Sequence, residues 1–308
     1  MDALTVGIER RKVRWVLDAD IRDYFSSLDH SWLLKFLEHR IADKRVLRLI
    51  QRWLKAGVIE DGVWAETLEG TPQGASISTL LSNVFLHYVF DQWVHQWRQR
   101  HARGDVVAVR FADDFVVGFQ HRGDAERFWA ELRERFASFG LELHEGKTRL
   151  IEFGRFAAEN REGRGLPKPE TFEFLGLTHI CAKDGRGRFM LKRVTSKKKM
   201  RAKLHAVKAE MRQRMHHPIP EQGRWLARVL QGHYNYYAVP GNSQALRAFH
   251  LWVKRLWLQA LRRRSQRSGL TWERMARLDE RWLPRPRIQH PWPGARFDAR
   301  TQGRSPVR

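Results

Sequence analysis

Cysteine is almost missing from this chain. One residue, Cys181, among 308 excludes a disulfide framework and any zinc module built on several thiolates. Long apolar runs are missing too. None reaches the roughly eighteen residues of a membrane span, and the N-terminus has no signal-peptide apolar core. These absences lead us to expect a cytosolic or nucleoid-associated protein with no membrane partner. Acidic residues are scarce in one part only. Residues 186–308 hold 6 Asp and Glu against 30 Lys and Arg, whereas residues 1–185 hold 28 against 27. The net charge of +23 therefore resides in the C-terminal part. Such a segment seeks a polyanion, and nucleic acid is the expected one, bound through phosphate neutralisation and counterion release. The apolar content, 42%, suffices for one or two cores and excludes gross disorder.

Val13 to Asp20 is β-rich and ends in two carboxylates, Asp18 and Asp20. Helical spacing follows over 30–41 and 43–56. The second helix opens at Asp43 and places Val46, Leu47, Ile50, Trp53 and Leu54 on one face. Short extended pieces are expected over 58–70, and Pro72 bars helix at Thr71. A long helix fits 75–100. Residues 106–119 form two apolar half-strands around Ala112-Asp113-Asp114, a hairpin with acids at its tip. A helix at 122–139, a strand at 147–153, a loop over 154–170 and a second hairpin over 171–193 complete this part. Helices then fit 195–216, 221–237, 243–264 and 271–279. The last 26 residues contain five prolines and read as an extended or disordered tail.

The sharpest chemical feature is a pair of acidic strand ends, Asp20 and, 93 residues later, Asp113-Asp114. Adjacent strands would bring these carboxylates together. Clustered carboxylates repel and are costly to desolvate, so a fold retains them when a divalent cation neutralises them. Magnesium, hard and satisfied by oxygen ligands, waters and substrate phosphates, suits this set best. Two such ions would stabilise the attacking and leaving oxygens of a phosphoryl displacement. Between the acids lies Gly70-Thr71-Pro72-Gln73-Gly74, whose glycines allow close backbone approach ahead of a helix N-terminus.

This ordered set resembles the reverse transcriptases of bacterial group II introns. The matching motifs are Leu17-Asp18-Ala19-Asp20-Ile21 through Phe25 and Leu28-Asp29-His30; Gly70 to Gly74 through Ile77-Ser78 and Leu80-Leu81; and Phe111-Ala112-Asp113-Asp114. Gly140 to His144 with Lys147-Thr148, Phe174-Leu175-Gly176, and the stretch around His233 to Tyr237 continue the series. The resemblance implies an α/β (α+β) fold: a right-hand polymerase palm with a mostly antiparallel sheet over 1–193, a helical thumb or maturase domain over 194–282, and a Pro/Arg-rich extended tail over 283–308. It implies RNA-directed DNA synthesis, with an intron RNA template and primer, a DNA target and deoxynucleoside triphosphates as partners. Asp20 and Asp113 would ligate two Mg2+ ions, Asp114 would complete the cluster, and the Ile21 carbonyl would add a ligand. Phe25 would pack against the incoming sugar and disfavour a 2′-hydroxyl. Gln73 and Gly74 would line the nascent base pair, and Lys147 would reach the departing pyrophosphate.

The chain departs from the family pattern at Phe111 for tyrosine, Ala75 for glycine, Thr79 for proline and Ser26 for aspartate, none of which removes a metal ligand. Only 19 residues precede Asp20, where the family carries its fingers, so an N-terminally truncated protein is expected. An alternative of another class is a polymerase-inactive remnant that acts at most as an RNA-binding splicing cofactor. A retron or diversity-generating enzyme is a third possibility, disfavoured by the thumb resemblance. In the basic part, Lys197, Lys198, Lys199, Arg201 and Lys203 open one helix and Arg262, Arg263 and Arg264 close another; all eight are candidate RNA contacts. The interleaved Tyr234, Tyr236, Tyr237, Trp252 and Trp257 are read mainly as helix core.

Overall fold

The computed structural model describes residues 2–55, 58–60, 63–65, 76–264 and 269–301. In chain order the first elements are α1 (Asp2–Arg10), β1 (Trp15–Ala19), α2 (His30–Glu38), α3 (Lys44–Lys55), β2 (Val58–Glu60), β3 (Val63–Ala65) and α4 (Ser76–Leu86). A π-helical turn, His87–Asp91, leads into α5 (Gln92–Arg100). Next come β4 (Val106–Phe111), β5 (Asp114–Phe119), α6 (Arg122–Ala137), β6 (Arg149–Glu152) and α7 (Ala157–Glu162). The remainder is β7 (Phe172–Phe174), β8 (Leu177–Lys183), β9 (Phe189–Thr195), α8 (Lys197–Gln213), α9 (Ile219–Tyr237), α10 (Ser243–Arg262), α11 (Trp272–Trp282) and α12 (Pro293–Thr301). Among the described residues no helix is long and apolar enough to cross a membrane.

Two compact units divide at Glu170 and Thr171. The resemblance implies a boundary at 193, whereas the second hairpin forms its own sheet with β7 and belongs to the second unit. The first unit is built on an antiparallel sheet of order β4-β5-β1-β6. Its period-2 alternation sorts the two faces. Leu17 and Ala19 of β1 and Phe115, Val117 and Phe119 of β5 face the helices and are buried with Phe36, Phe85, Phe90, Trp97, Phe128 and Phe136. The opposite face takes α1 at one end, where Gly7 lets the helix approach Val107; a Cβ at Gly7 would come within 2.6 Å of it. Neither α1 nor the short α7 was anticipated, α7 falling in the expected loop. Asp43 does cap α3, accepting the Arg45 N–H at 2.7 Å. The apolar face expected for that helix is only half covered: Ile50 and Leu54 are buried, Val46 and Trp53 exposed.

The second unit begins with the three-stranded sheet β7-β8-β9. Its first turn has two residues, Leu175 and Gly176, both left-handed at φ 51° and 73°. That is the hairpin geometry that matches strand twist. Tyr236 donates to the Leu175 carbonyl at 2.9 Å, and a Cβ on Gly176 would lie 2.8 Å from the Tyr237 hydroxyl. The two motif stretches, 174–176 and 233–237, are thus packed on one another. Buried Asn242 links sheet to helices: its oxygen accepts the Thr195 N–H at 3.0 Å and its amide reaches the Tyr237 carbonyl at 2.8 Å. The helical core contains Leu230, Tyr234, Phe249, Val253, Trp257 and Met275. Tyr236 and Trp252 are exposed, so the aromatics divide between core and surface. Gln222 donates to the carbonyls of Arg214, Met215 and His217 and closes the end of α8. The tail departs from the extended or disordered expectation over 293–301, while 283–292 carries no helix or strand. Gln289 and His290 donate their N–H groups to the Ala238 carbonyl, and Pro293 then opens α12, a first-turn position that suits proline.

His179 in β8 is fully buried, stacked on Phe172 at 4.7 Å, with Nδ1 against the Leu177 carbonyl at 3.1 Å. Burial, reinforced by the Arg193 charge, lowers its pKa to about 3. A histidine depressed in the folded state leaves stability intact above its unfolded pKa and loses it as pH falls below about 6.5. We expect the second unit to lose about 2 kcal/mol between pH 7 and pH 5 through this residue alone. Urea melts at the two pH values should show this loss, and His179→Phe should remove it.

Candidate active site

The ladder between β1 and β5 pairs Asp18 with Val116 and Ala19 with Phe115. One further step sets Asp20 opposite Asp114, at the spacing of cross-strand neighbours, about 5 Å between Cβ atoms. On the other side of β5, Phe111 pairs with Asp114, so Ala112 and Asp113 form a two-residue hairpin turn. Ala112 has φ 53°, the left-handed value that this turn type ordinarily gives to glycine. For a residue with a Cβ this conformation costs roughly 1–2 kcal/mol. Alternation puts Asp18, Asp20 and Asp114 on the face away from the helices. Burial pushes the Asp18 carboxyl up to about 6; Arg149, at 3.2 Å, opposes the shift, while the charges of Asp114 and Asp20 add to it. Asp18, Asp20 and Asp114 therefore share one electrostatic neighbourhood.

Lys147 enters it from the segment before β6. The His144 N–H donates to the Asp20 carbonyl at 2.8 Å, and the Lys147 N–H turns back onto the His144 carbonyl at 3.1 Å. The Lys147 ammonium then meets an Asp20 carboxylate oxygen at 2.5 Å. That hydrogen bond, followed by the Asp20 charge, holds its pKa above the ordinary lysine value. Ile21 bridges Leu143, and the flanking bonds, Arg22 N–H to the Glu142 carbonyl and His144 N–H to the Asp20 carbonyl, use neither of Ile21's own polar groups. Tyr24 is buried, and its hydroxyl donates to the Ser82 carbonyl at 2.5 Å, tying the loop after Asp20 to α4.

Comparison with known proteins bears on this arrangement directly. The family described as reverse transcriptase (RNA-dependent DNA polymerase) matches residues 4–179, more than half of the chain, including both acidic strand ends. The chain belongs to the reverse transcriptase family. It is also 35% identical over 99 residues to the group II intron-encoded protein LtrA of Lactococcus lactis subsp. cremoris, covering 32% of this chain and 16% of that one. Over 130 residues it is 35% identical to protein YkfC of Escherichia coli (strain K12), covering 34% of each. The match thus spans about a third or less of these relatives. An apo telomerase structure from Candida Tropicalis overlays with a TM-score of 0.46 and 11% identity, covering 86% of this chain and 44% of that one.

A reverse transcriptase of this family works with divalent metal ions, and the donor set here can be tested for fit. Among the described residues no three His, Cys, Asp or Glu side chains form a ready-made cage. Magnesium does not demand one, since it binds through one or two carboxylates and completes its shell with water and substrate phosphate. The mutual repulsion registered at Asp18, and the ammonium drawn to Asp20, are what a carboxylate cluster prepared for cations exhibits. In donor chemistry, Asp20 and Asp114 are the hard oxygen ligands such an ion takes.

The other expected residues are distributed as follows. Phe25 is partly buried against the first unit's core, its ring 5.5 Å from that of Tyr24. Phe111, in the usual tyrosine position, is exposed beside the acids. Gln73 and Gly74, with the rest of their pentapeptide, lie outside the described residues. In the second unit Lys197, Lys198, Lys199, Arg201 and Lys203 are all exposed along the start of α8. The arginine triplet divides. Arg262 donates to the Leu270 carbonyl at 3.0 Å, and Arg264 to the carbonyls of His216 and His217 at 3.0 and 2.7 Å. Exposed Arg263 lines a groove with Lys208 and Arg212.

Sequence reasoning missed Arg110 and its partners Asp91 and Asn83. Arg110 belongs to the alternation 106, 108, 110 that faces the helices, so a cation there requires an acceptor from the core side. That signal was present in the strand period.

Proposed function

We propose that the chain is an RNA-directed DNA polymerase of the group II intron type. The observation that carries this reading is the placement of Asp20, at the end of β1, beside the Asp113-Asp114 tip of the β4–β5 hairpin. Asp20 and Asp113 would hold two Mg2+ ions, with Asp114 completing the cluster and the Ile21 carbonyl as an added ligand. When bound, the ions supply charge stabilisation for the attacking and leaving oxygens of an in-line displacement. The primer 3′-hydroxyl attacks the α-phosphate of a deoxynucleotide, and pyrophosphate leaves. Lys147, already a cation at the edge of this cluster, would turn from Asp20 to the pyrophosphate as it departs. Phe25, seated beside the loop after Asp20, would set the room available to the sugar's 2′ position.

In this reading the first unit is the palm and the second, with its lysine-rich α8, the thumb that grips intron RNA. The exposed cations of the second unit also support a second reading, an RNA-binding splicing cofactor without synthesis. Primer extension separates the two. The purified chain, given an RNA template, an annealed DNA primer, four deoxynucleotides and Mg2+, should extend the primer and stop on addition of a chelator. RNA binding by cooperatively folded protein, without extension in Mg2+ or Mn2+, would leave the second reading.

A further inference from the structure

Arg110 lies on β4, one residue before the Phe111-Ala112-Asp113-Asp114 hairpin tip, and it is mostly buried. Its guanidinium grips Asp91 with two bonds, Nε to Oδ1 at 2.8 Å and Nη2 to Oδ2 at 2.6 Å. Its remaining arm, Nη1, reaches both the Asn83 amide oxygen and the Ala112 carbonyl at 2.9 Å. Asn83 is oriented in turn, because its amide nitrogen donates to the Thr79 carbonyl at 2.9 Å. One end of this chain is therefore helix backbone, and the other is the carbonyl of the one left-handed residue in the acidic turn.

The helix is shaped for the contact. Asn83 and Asp91 are eight residues apart, about 80° around an ordinary α-helix. The π-helical turn His87–Asp91 lies between them and accommodates one extra residue, about 100° of helix. That brings the two side chains to within about 20° of one line, where a single guanidinium meets both. Ala112 gives the contact a purpose. A Cβ disfavours φ 53°, and relaxation of Ala112 to negative φ would re-aim Asp113, the next residue. A bond to the Ala112 carbonyl opposes that relaxation, and the planar fork fixes the bond's direction in a way lysine cannot reproduce.

We infer that Arg110, anchored by Asp91 and Asn83, is a positioning residue that holds the Ala112-Asp113 turn in the shape that aims Asp113 at the metal site. This inference rests on the reading of Asp113 as a metal ligand, and its test separates the two. Mn2+ binding to the full chain is measured by titration, alongside kcat, KM for deoxynucleotide and thermal melting. Asp113→Asn should remove the Mn2+ site; if it does not, the ligand assignment fails whatever Arg110 does. Arg110→Gln should weaken the same site about tenfold and lower kcat about a hundredfold, with KM within about threefold, as expected for a misaimed reacting group. Arg110→Lys should behave like Arg110→Gln.

The deciding variant is Ala112→Gly. Glycine takes positive φ without strain, so alone it should change Mn2+ binding by less than about threefold, and in the Arg110→Gln background it should restore kcat by about tenfold or more. A guanidinium that merely fills the core would give no such rescue. Unchanged Mn2+ binding in Arg110→Gln, or a double variant no better than the single one, would overturn the inference. Should Arg110→Gln fail to melt cooperatively, Asp91→Asn keeps the volume, frees the fork, and carries the same rescue test.

Discussion

Asp113→Asn should reduce Mg2+-dependent primer extension by about a thousandfold or more, and Asp20→Asn should do the same. The magnitude follows from the several kcal/mol that a divalent ion contributes to a phosphoryl transition state, at about 1.4 kcal/mol per tenfold. Asp20 follows the last residue of β1 and Asp113 lies in the hairpin turn, and neither side chain belongs to the buried core, so removing a charge should leave the packing largely intact. Melting temperature should hold, because relief of the like charges at this corner is offset at Asp20 by loss of the Lys147 ion pair. A second readout comes from Asp18. Burial is the main cause of its shift to about 6, and the Asp20 charge adds to it, so Asp20→Asn should move the Asp18 titration toward the ordinary carboxylate range. Carbon-detected NMR of the carboxyl would follow it. Full activity in either variant would remove the polymerase assignment and leave the basic second unit as the chain's functional part.

Replacing Lys197, Lys198, Lys199, Arg201 and Lys203 together by glutamine should flatten the salt dependence of RNA binding. Each lost phosphate contact lowers the log–log slope by about 0.7 to 0.9, so the variant with five substitutions loses about 3.5 to 4.5 units. The parent chain, with contacts of that number or more, should lose about a hundredfold or more in affinity between 50 and 200 mM salt. Filter binding over a salt series measures both. Stability should change in the opposite sense. Three lysines in the first turn of α8 oppose its dipole, each by about 0.3–1 kcal/mol at low salt, so their removal should raise the melting temperature. The arginine triplet gives a contrast within the same unit. Arg262 and Arg264 hold backbone carbonyls, and their loss should act on melting more than on RNA. Exposed Arg263 should act on RNA alone.

The parts legible in the sequence were those written in local chemistry. The Asp43 cap, the acidic hairpin and the β-rich run ending at Asp20 all declare themselves over a few residues. The adjacency of β1 and the acidic hairpin followed from the acids' need for a common neutralising partner, and the antiparallel sense from the family resemblance. What stayed hidden depends on contacts between distant segments. The π-helical turn at 87–91 has no local signature, since its apolar spacing reads as ordinary helix. Helix α1 is short, and its burial is set by the sheet it covers. The second hairpin joins the helical unit because Asn242 and the tyrosines at 236 and 237 bind its turn and last strand, contacts that bridge some fifty residues. The arginine triplet looked uniform as composition and divided only when carbonyls at the ends of two helices were found beside it.

The tight turn at Leu175-Gly176 has a corollary for sequence change. Position 176 has room for hydrogen only, and the atom that fills the remaining space is the phenol oxygen at 237. The two positions, though 61 residues apart, cannot vary independently. Any larger group at the first meets that oxygen as well as the strain of a left-handed backbone, so shortening the ring at the second relieves only the contact.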